Sequence, residues 1–107
     1  LSSRRKPGSG KLMLMPYHVY ILTTKKNTTL YTGVTSDLQS RIWQHKEGLI
    51  EGFSKKNSVN KLVYAEEYQN IEEAIHREKC IKEWKRACKI ELIEKANPGW
   101  NDLYGAL

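Results

Sequence analysis

Short runs of β-branched and aromatic residues alternate along the chain with segments whose apolar positions recur every three to four residues. Tyr17 to Thr23 (YHVYILT) and Leu30 to Val34 (LYTGV) are of the first kind, and the polar link 24–29, with Lys25, Lys26 and Asn27, reads as a β-hairpin turn between them. Thr35, Ser36 and Asp37 offer N-caps to a helix over Leu38 to Glu47, and Gly48 is a natural C′ stop. The stretch GLIEGFSKKNSVN has two glycines, a lysine pair and no clear period, and is expected to be a loop. Lys61 to Tyr68 (KLVYAEEY) predicts a third strand. Asn70 followed by Glu73 resembles a capping box, after which Ile71, Ala74, Ile75 and Ile81 recur at helical spacing through Arg86. Cys88, Leu92, Ile93 and Ala96 carry a helical pattern on to Asn97, where Pro98 and Gly99 close it. The pattern leaves open one long helix or two with a bend near Ala87. The order ββαβαα predicts a small α+β domain, a three-stranded antiparallel sheet flanked by helices.

At 107 residues and 39% hydrophobic content the chain suits one core and is short for two domains. Residues 1–14 (LSSRRKPGSGKLML) mix Gly, Ser and Pro with a charge run, and read as a disordered arm or tag remnant ahead of a domain over residues 15–107. That arm changes the meaning of the formal charge of +6, because it holds four of the 18 basic residues and no acid; the body is left with 14 bases against 12 acids, or +2. Charge alone is therefore weak evidence for nucleic acid. No stretch approaches ~20 apolar residues, so a soluble protein is expected. Cys80 and Cys88 lie eight apart in a helical pattern, which puts their Cα atoms about 12 Å apart, beyond the roughly 7 Å limit of a disulfide. Two free cysteines, read as small buried apolar residues, suit a reducing cytoplasm.

Three sets of residues sit where their chemistry is out of place. On the 71–86 helix, steps of ~100° put Glu78 inside the arc of Ile71, Ala74, Ile75 and Ile81, and the same side turns basic at Lys82, Lys85, Arg86 and Lys89. A carboxylate there needs a metal ion or a cation; an ordinary i,i+4 pair of Glu78 with Lys82 is the bland alternative. On the first helix Leu38 and Ile42 mark the apolar side, and Arg41 and His45, spaced i,i+4, lie beside or between them. Arg offers a fixed fork of donors to phosphate oxygens, and His moves protons near neutral pH, although a lone His beside an apolar face is often structural. In the hairpin, Tyr20 and Tyr31 read as strand aromatics, but Gly33 inside a strand marks a bulge or close approach, a gap beside a phenol through which substrate would enter.

In order along the chain, these residues resemble the GIY-YIG nuclease superfamily. His18, Val19 and Tyr20 stand for the first tripeptide and Tyr31, Thr32 and Gly33 for the second, with ten residues between; Arg41, His45 and Glu78 follow in the family's order. His18 replaces the first Gly and Thr32 the middle Ile, neither of which carries a catalytic group in the family. The tail KANPGWNDL looks most similar to the small stand-alone bacterial branch.

The resemblance implies a metal-dependent endonuclease of the bacterial cytoplasm, with DNA favoured over RNA, a DNA-repair setting, and structure-selective or non-specific cutting. It implies catalytic roles for Tyr20, Tyr31, Arg41, His45 and Glu78, with Gly33 as a motif residue. Glu78 would hold one Mg²⁺ or Mn²⁺ ion together with water and phosphate oxygens. Tyr20 would help deprotonate the attacking water if the charge of Arg41 lowered its pKa, and Tyr31 and His45 would position the water or relay its proton; which of the three is the base is left open. Some family members carry an Asn after the acid, for which Asn97 is the candidate here, though before Pro98 it also reads as a helix stop. Lys25, Lys26, Lys55, Lys56, Lys82, Lys85, Arg86 and Lys89 would track the nucleic-acid backbone, or simply be solvated surface. A monomer or weak dimer is expected, with no membrane and with room for a protein partner that adds DNA affinity. The rivals are a catalytically silent nucleic-acid-binding module of the same fold, and a protein-interaction domain anchored by Trp43, Trp84 and Trp100, which buried core would also explain.

Overall fold

The run from Val19 to Thr23 is continuous rather than alternating because its strand is covered on both faces. In a computed structural model, which describes residues 16–50, 52 and 56–107, β1 (Tyr17–Thr23) is the central strand of an antiparallel sheet of order β2-β1-β3. Its neighbours are β2 (Leu30–Thr35) and β3 (Lys61–Tyr68). The expected arm at 1–14, and Lys55, lie outside the described residues. Val19 and Ile21 enter one core with Val63, Ala74, Ile81 and Ile93. Tyr20 and Leu22 point the other way, into a second core with Leu38, Ile42, Val59 and Leu62. A β-bulge joins the two: Ile21 pairs with Tyr64 but Leu22 with Leu62, and the extra residue, Val63, drops into the first core while Leu62 serves the second.

Helix α1 (Leu38–Lys46) and a C-terminal 3-10 turn (Leu103–Ala106) cover the second core; α2 (Ile71–Glu83) and α3 (Arg86–Ala96) cover the first. The capping residues act as their chemistry predicts: Asp37 accepts from Ser40 N at 3.2 Å, and Asn70 accepts from Glu72 N at 2.7 Å and Glu73 N at 3.3 Å. Gly48 takes the left-handed φ of 70° just beyond α1.

Three expectations are corrected. The 71–86 helix ends at Glu83, because Trp84 and Lys85 are extended (ψ 152° for both) and Trp84 packs onto the first core, so that two helices meet at a bend three residues before Ala87. Ile71 and Ile75 are not core: they are 39% and 37% exposed, and Ala74 and Ile81 alone on α2 are buried. The helix is rotated by a bidentate ion pair, Arg77 Nε and Nη2 donating to Glu66 Oε1 and Oε2 at 2.9 Å each, with the guanidinium 5.0 Å from the Trp84 ring centroid. Cys80 is half-buried and Cys88 exposed, so neither is the buried apolar residue expected; the buried positions of their helices are Ala74, Ile81 and Ile93. Among the described residues no helix is long and apolar enough to cross a membrane.

Candidate active site

The sheet register places Tyr20 directly opposite Gly33. A Cβ on Gly33 would stand 2.5 Å from the Tyr20 hydroxyl and 2.6 Å from Cζ, so the missing side chain is where the phenol ring lies. Gly33 thus does mark a close approach, but the gap expected to admit substrate is filled by the protein's own Tyr20. Across this ring, Tyr31 and His45 complete a cluster of three aromatic rings. Centroids are 6.4 Å apart for Tyr20–Tyr31, 5.8 Å for Tyr20–His45 and 5.5 Å for Tyr31–His45. The Tyr20 hydroxyl and His45 Nε2 are hydrogen-bonded at 3.0 Å in a buried setting.

Charge reaches this cluster from two sides. Burial raises the Tyr20 phenol far above its usual pKa, the neighbouring Tyr31 adds to the effect, and Arg41 lowers it without overcoming burial; Glu78 raises it further. Arg41 therefore does not turn Tyr20 into a ready base, contrary to the sequence expectation, because desolvation outweighs one half-buried guanidinium. Burial, then the charge of Arg41, pushes His45 down to about 4. At neutral pH both groups are uncharged, so the bond joins a neutral phenol to a neutral imidazole, and the imidazole tautomer sets which of them donates.

Glu78 comes from α2, which packs on the first core, yet its charge is felt by Tyr20 in the second. Its side chain is 13% exposed and Oε2 lies 2.7 Å from Lys82 Nζ. The i,i+4 pair anticipated as the bland alternative is therefore present, on the same carboxylate. Among the described residues no three His, Cys, Asp or Glu side chains converge on a metal position. The donor set fits a hard cation that takes a single protein carboxylate and keeps its waters. Lys82, 51% exposed, can swing off Glu78 to make room.

The structure accounts for the outlying residues individually. Lys25, Lys26 and Lys56 are exposed. On the ridge, Lys85 is exposed, Arg86 Nη2 donates to Asn27 O at 3.3 Å, and Lys89 Nζ donates to Lys82 O at 3.4 Å. Asn97 is buried, and its amide is used up within the fold: Nδ2 donates to Val63 O at 3.0 Å and Asn101 O at 2.9 Å, while Oδ1 accepts from Asn101 N at 3.1 Å. It closes α3, the stop-signal role. Two positioning clusters had no sequence signature. The Glu66–Arg77 pair, with Tyr64 and Tyr68 hydroxyls also donating to Glu66 at 2.5 and 2.8 Å, fixes α2 one residue before Glu78. These bonds outweigh burial and hold Glu66 below the usual carboxylate range. Lys46, next to His45, donates to Asp102 Oδ2 at 2.5 Å and Asn60 O at 3.0 Å, and Asp102 Oδ1 in turn accepts from Leu62 N at 3.3 Å. This ties the end of α1 to β3.

Comparison with known proteins gives the family and the fold. A sequence model of the GIY-YIG catalytic domain matches residues 16–91. A UPF0213 protein of Staphylococcus haemolyticus is 37% identical over 79 residues, 74% of this chain and 95% of the relative. Another, of Clostridium perfringens, is 41% identical over 76 residues, 71% of this chain and 81% of the relative. The solution NMR structure of a UPF0213 protein from Bacillus halodurans is similar in fold, with a TM-score of 0.53 and 28% identity, covering 82% of this chain and 93% of that one. The matched span holds the hairpin that sets Tyr20 over Gly33 and the residues Arg41, His45 and Glu78, and the chain belongs to the GIY-YIG family of nuclease domains.

Proposed function

We propose that this protein is a divalent-metal-dependent endonuclease that hydrolyses phosphodiester bonds in nucleic acid, DNA in preference to RNA, selecting strand structure or nothing rather than base sequence. The observation that carries the reading is the buried 3.0 Å bond between an uncharged phenol and an uncharged imidazole, with Arg41 and Glu78 both in electrostatic range. A purely structural Tyr–His bond needs no opposed charges around it. Glu78 would hold the ion, Mg²⁺ or Mn²⁺, which when bound neutralises phosphate charge and makes its water more acidic.

The chain's own groups then divide the work. Arg41 presents its donors to the non-bridging oxygens of the scissile phosphate. The attacking water gives a proton to the Tyr20 oxygen as the phenol passes its own to His45 Nε2, so the phenol ends neutral and the imidazole carries the charge. The water oxygen bonds to phosphorus, the bond to the departing ester oxygen breaks, and that oxygen takes a proton from solvent. Phosphate bound beside His45 raises its pKa by the same Coulombic logic with which Arg41 lowers it, so the base strengthens when substrate is in place. Tyr31, packed on both rings, keeps water out of the relay and holds its geometry.

Incubation with branched, flap, single-stranded and fully paired DNA and RNA in Mg²⁺ or Mn²⁺ tests the reading. Cleavage that disappears with chelator, with Glu78→Ala and with Arg41→Ala is expected. Binding without cleavage on every substrate and metal would instead indicate a silent binding module.

A further inference from the structure

At the turn end of the hairpin, beyond the ring cluster, lies a groove of about 370 Å³ lined by Thr24, Lys25, Lys26, Thr28, Ser58 and Asn60. Among the described residues its lining contains two ammonium groups, three hydroxyls and an amide, and no carboxylate. Cationic and neutral donors without a competing acid make a setting for an anion.

Both walls are held in place. On one, Thr24 Oγ1 bonds Thr28 Oγ1 at 2.8 Å and Thr28 N at 2.9 Å, and Asn27 N donates to Thr24 O at 2.9 Å. Arg86 braces that turn from α3 through Asn27 O. On the other, Lys46 fixes Asn60 through its carbonyl, and Ser58 sits at φ 55°, a left-handed conformation that persists in a non-glycine residue only where its surroundings hold it.

The groove lies along the same hairpin as the candidate active site. Tyr31 stands on the Leu22 rung of the hairpin, and Thr24 and Thr28 follow beyond the next rung, Thr23–Leu30. At a strand rise of ~3.3 Å per residue the groove is about 7–10 Å from the Tyr31 rung. A stacked nucleic-acid strand advances about 3.4 Å per phosphate along its helix axis, so a strand lying with that axis along the hairpin covers this separation in roughly two to three nucleotides.

We propose that this groove is a second phosphate subsite, which grips the backbone of the cleaved strand two to three nucleotides to one side of the scissile bond. Lys25 and Lys26 supply its charge, and Ser58 and Asn60 form its fixed hydrogen-bonding wall. The inference rests on the nuclease reading for the identity of its ligand, and it adds a direction and a footprint: substrates too short to reach the groove bind less tightly.

The test is a scan of single-stranded oligonucleotides in which one phosphate at a time is an uncharged methylphosphonate, read by fluorescence anisotropy without metal and by cleavage with Mn²⁺. Weakened binding is expected at the scissile position and again two to three nucleotides away on one side. In Lys25→Gln/Lys26→Gln protein the second interference disappears. The slope of log Kd against log salt becomes shallower by about 1.4, so that a rise from 50 to 200 mM salt weakens binding about sevenfold less than in the parent. Ser58→Gly, which keeps the backbone and removes the hydroxyl, weakens binding only to oligonucleotides that reach the groove. Cleavage with no second interference position, or a second position unchanged in the double variant, overturns the subsite and leaves the nuclease reading standing. A second position that persists while every substrate stays uncut overturns the nuclease reading and leaves the subsite; failure to bind any oligonucleotide overturns both.

Discussion

Replacing Gly33 with alanine adds one methyl group at the point where the sheet has no room for it. Its carbon would stand 2.5 Å from the Tyr20 hydroxyl, about 1 Å inside ordinary contact, and the nearer ring carbons are at 2.6 and 3.1 Å. An exposed tyrosine would swing away, but this ring is 1% exposed, hydrogen-bonded to His45 and packed against Tyr31. A shift of about 1 Å stretches the 3.0 Å bond to His45 past hydrogen-bonding range. Overpacking of this kind costs about 1–3 kcal/mol, and the broken bond adds about 1 kcal/mol. A displacement of that size in a catalytic group lowers the cleavage rate by roughly 10². Urea unfolding and single-turnover cleavage measure the two effects on one preparation. A double-mutant cycle isolates the cause: in a Tyr20→Ala background the same Gly33→Ala change should cost less than about 0.5 kcal/mol, because the ring it strikes is gone. Gly33→Ala with unchanged stability and rate, or with an equal cost in both backgrounds, would refute the argument that Gly33 exists to seat Tyr20.

Because the fold holds His45 neutral, at about 4 against 6.5 when unfolded, its contribution to stability is complete above pH 6.5 and is lost as pH falls toward 4, by about 3 kcal/mol. Urea midpoints between pH 7 and pH 4 should drop more steeply for the parent than for His45→Gln; parallel curves would contradict the burial argument. Arg77→Met leaves Glu66 without its bidentate partner and should cost about 1–3 kcal/mol in thermal unfolding while also lowering cleavage, since α2 then loses the contact beside Glu78; Glu66→Gln in the same chain should recover part of the loss. Lys82→Ala removes the cation already on Glu78 and should tighten Mn²⁺ binding by about twofold, the worth of one i,i+4 pair, in an electron paramagnetic resonance titration. Weaker binding would place the ion elsewhere.

What was legible in the sequence is what local chemistry decides. The hairpin, β3 and the caps at Asp37 and Asn70 follow from β-branched content and short polar side chains, and their observed bounds differ from expectation by a residue or less. Arg41, His45 and Glu78 stood out because each breaks the polarity pattern of its helix, whereas Tyr20 and Tyr31 read as ordinary strand aromatics and entered the expected set through the ordered resemblance to the family. Tertiary decisions were not. The rotation that exposes Ile71 and Ile75 comes from Arg77 reaching Glu66 on β3, eleven positions away, and the end of α2 comes from Trp84 turning onto the core. Lys46 and Asp102, 56 residues apart, carry no local mark of their pairing. Gly33 announced a close approach but not the partner, and periodicity says nothing of the burial that raises Tyr20 and lowers His45.

A divalent ion held by Glu78, as proposed, would stand within reach of both phenols and the imidazole. Paramagnetic broadening by Mn²⁺ measures this without substrate, through the ring proton resonances of Tyr20, Tyr31 and His45. Selective broadening of those three rings at substoichiometric Mn²⁺, absent in Glu78→Ala protein, is the predicted result. Broadening confined to other residues, or unchanged when Glu78 is removed, would contradict the account.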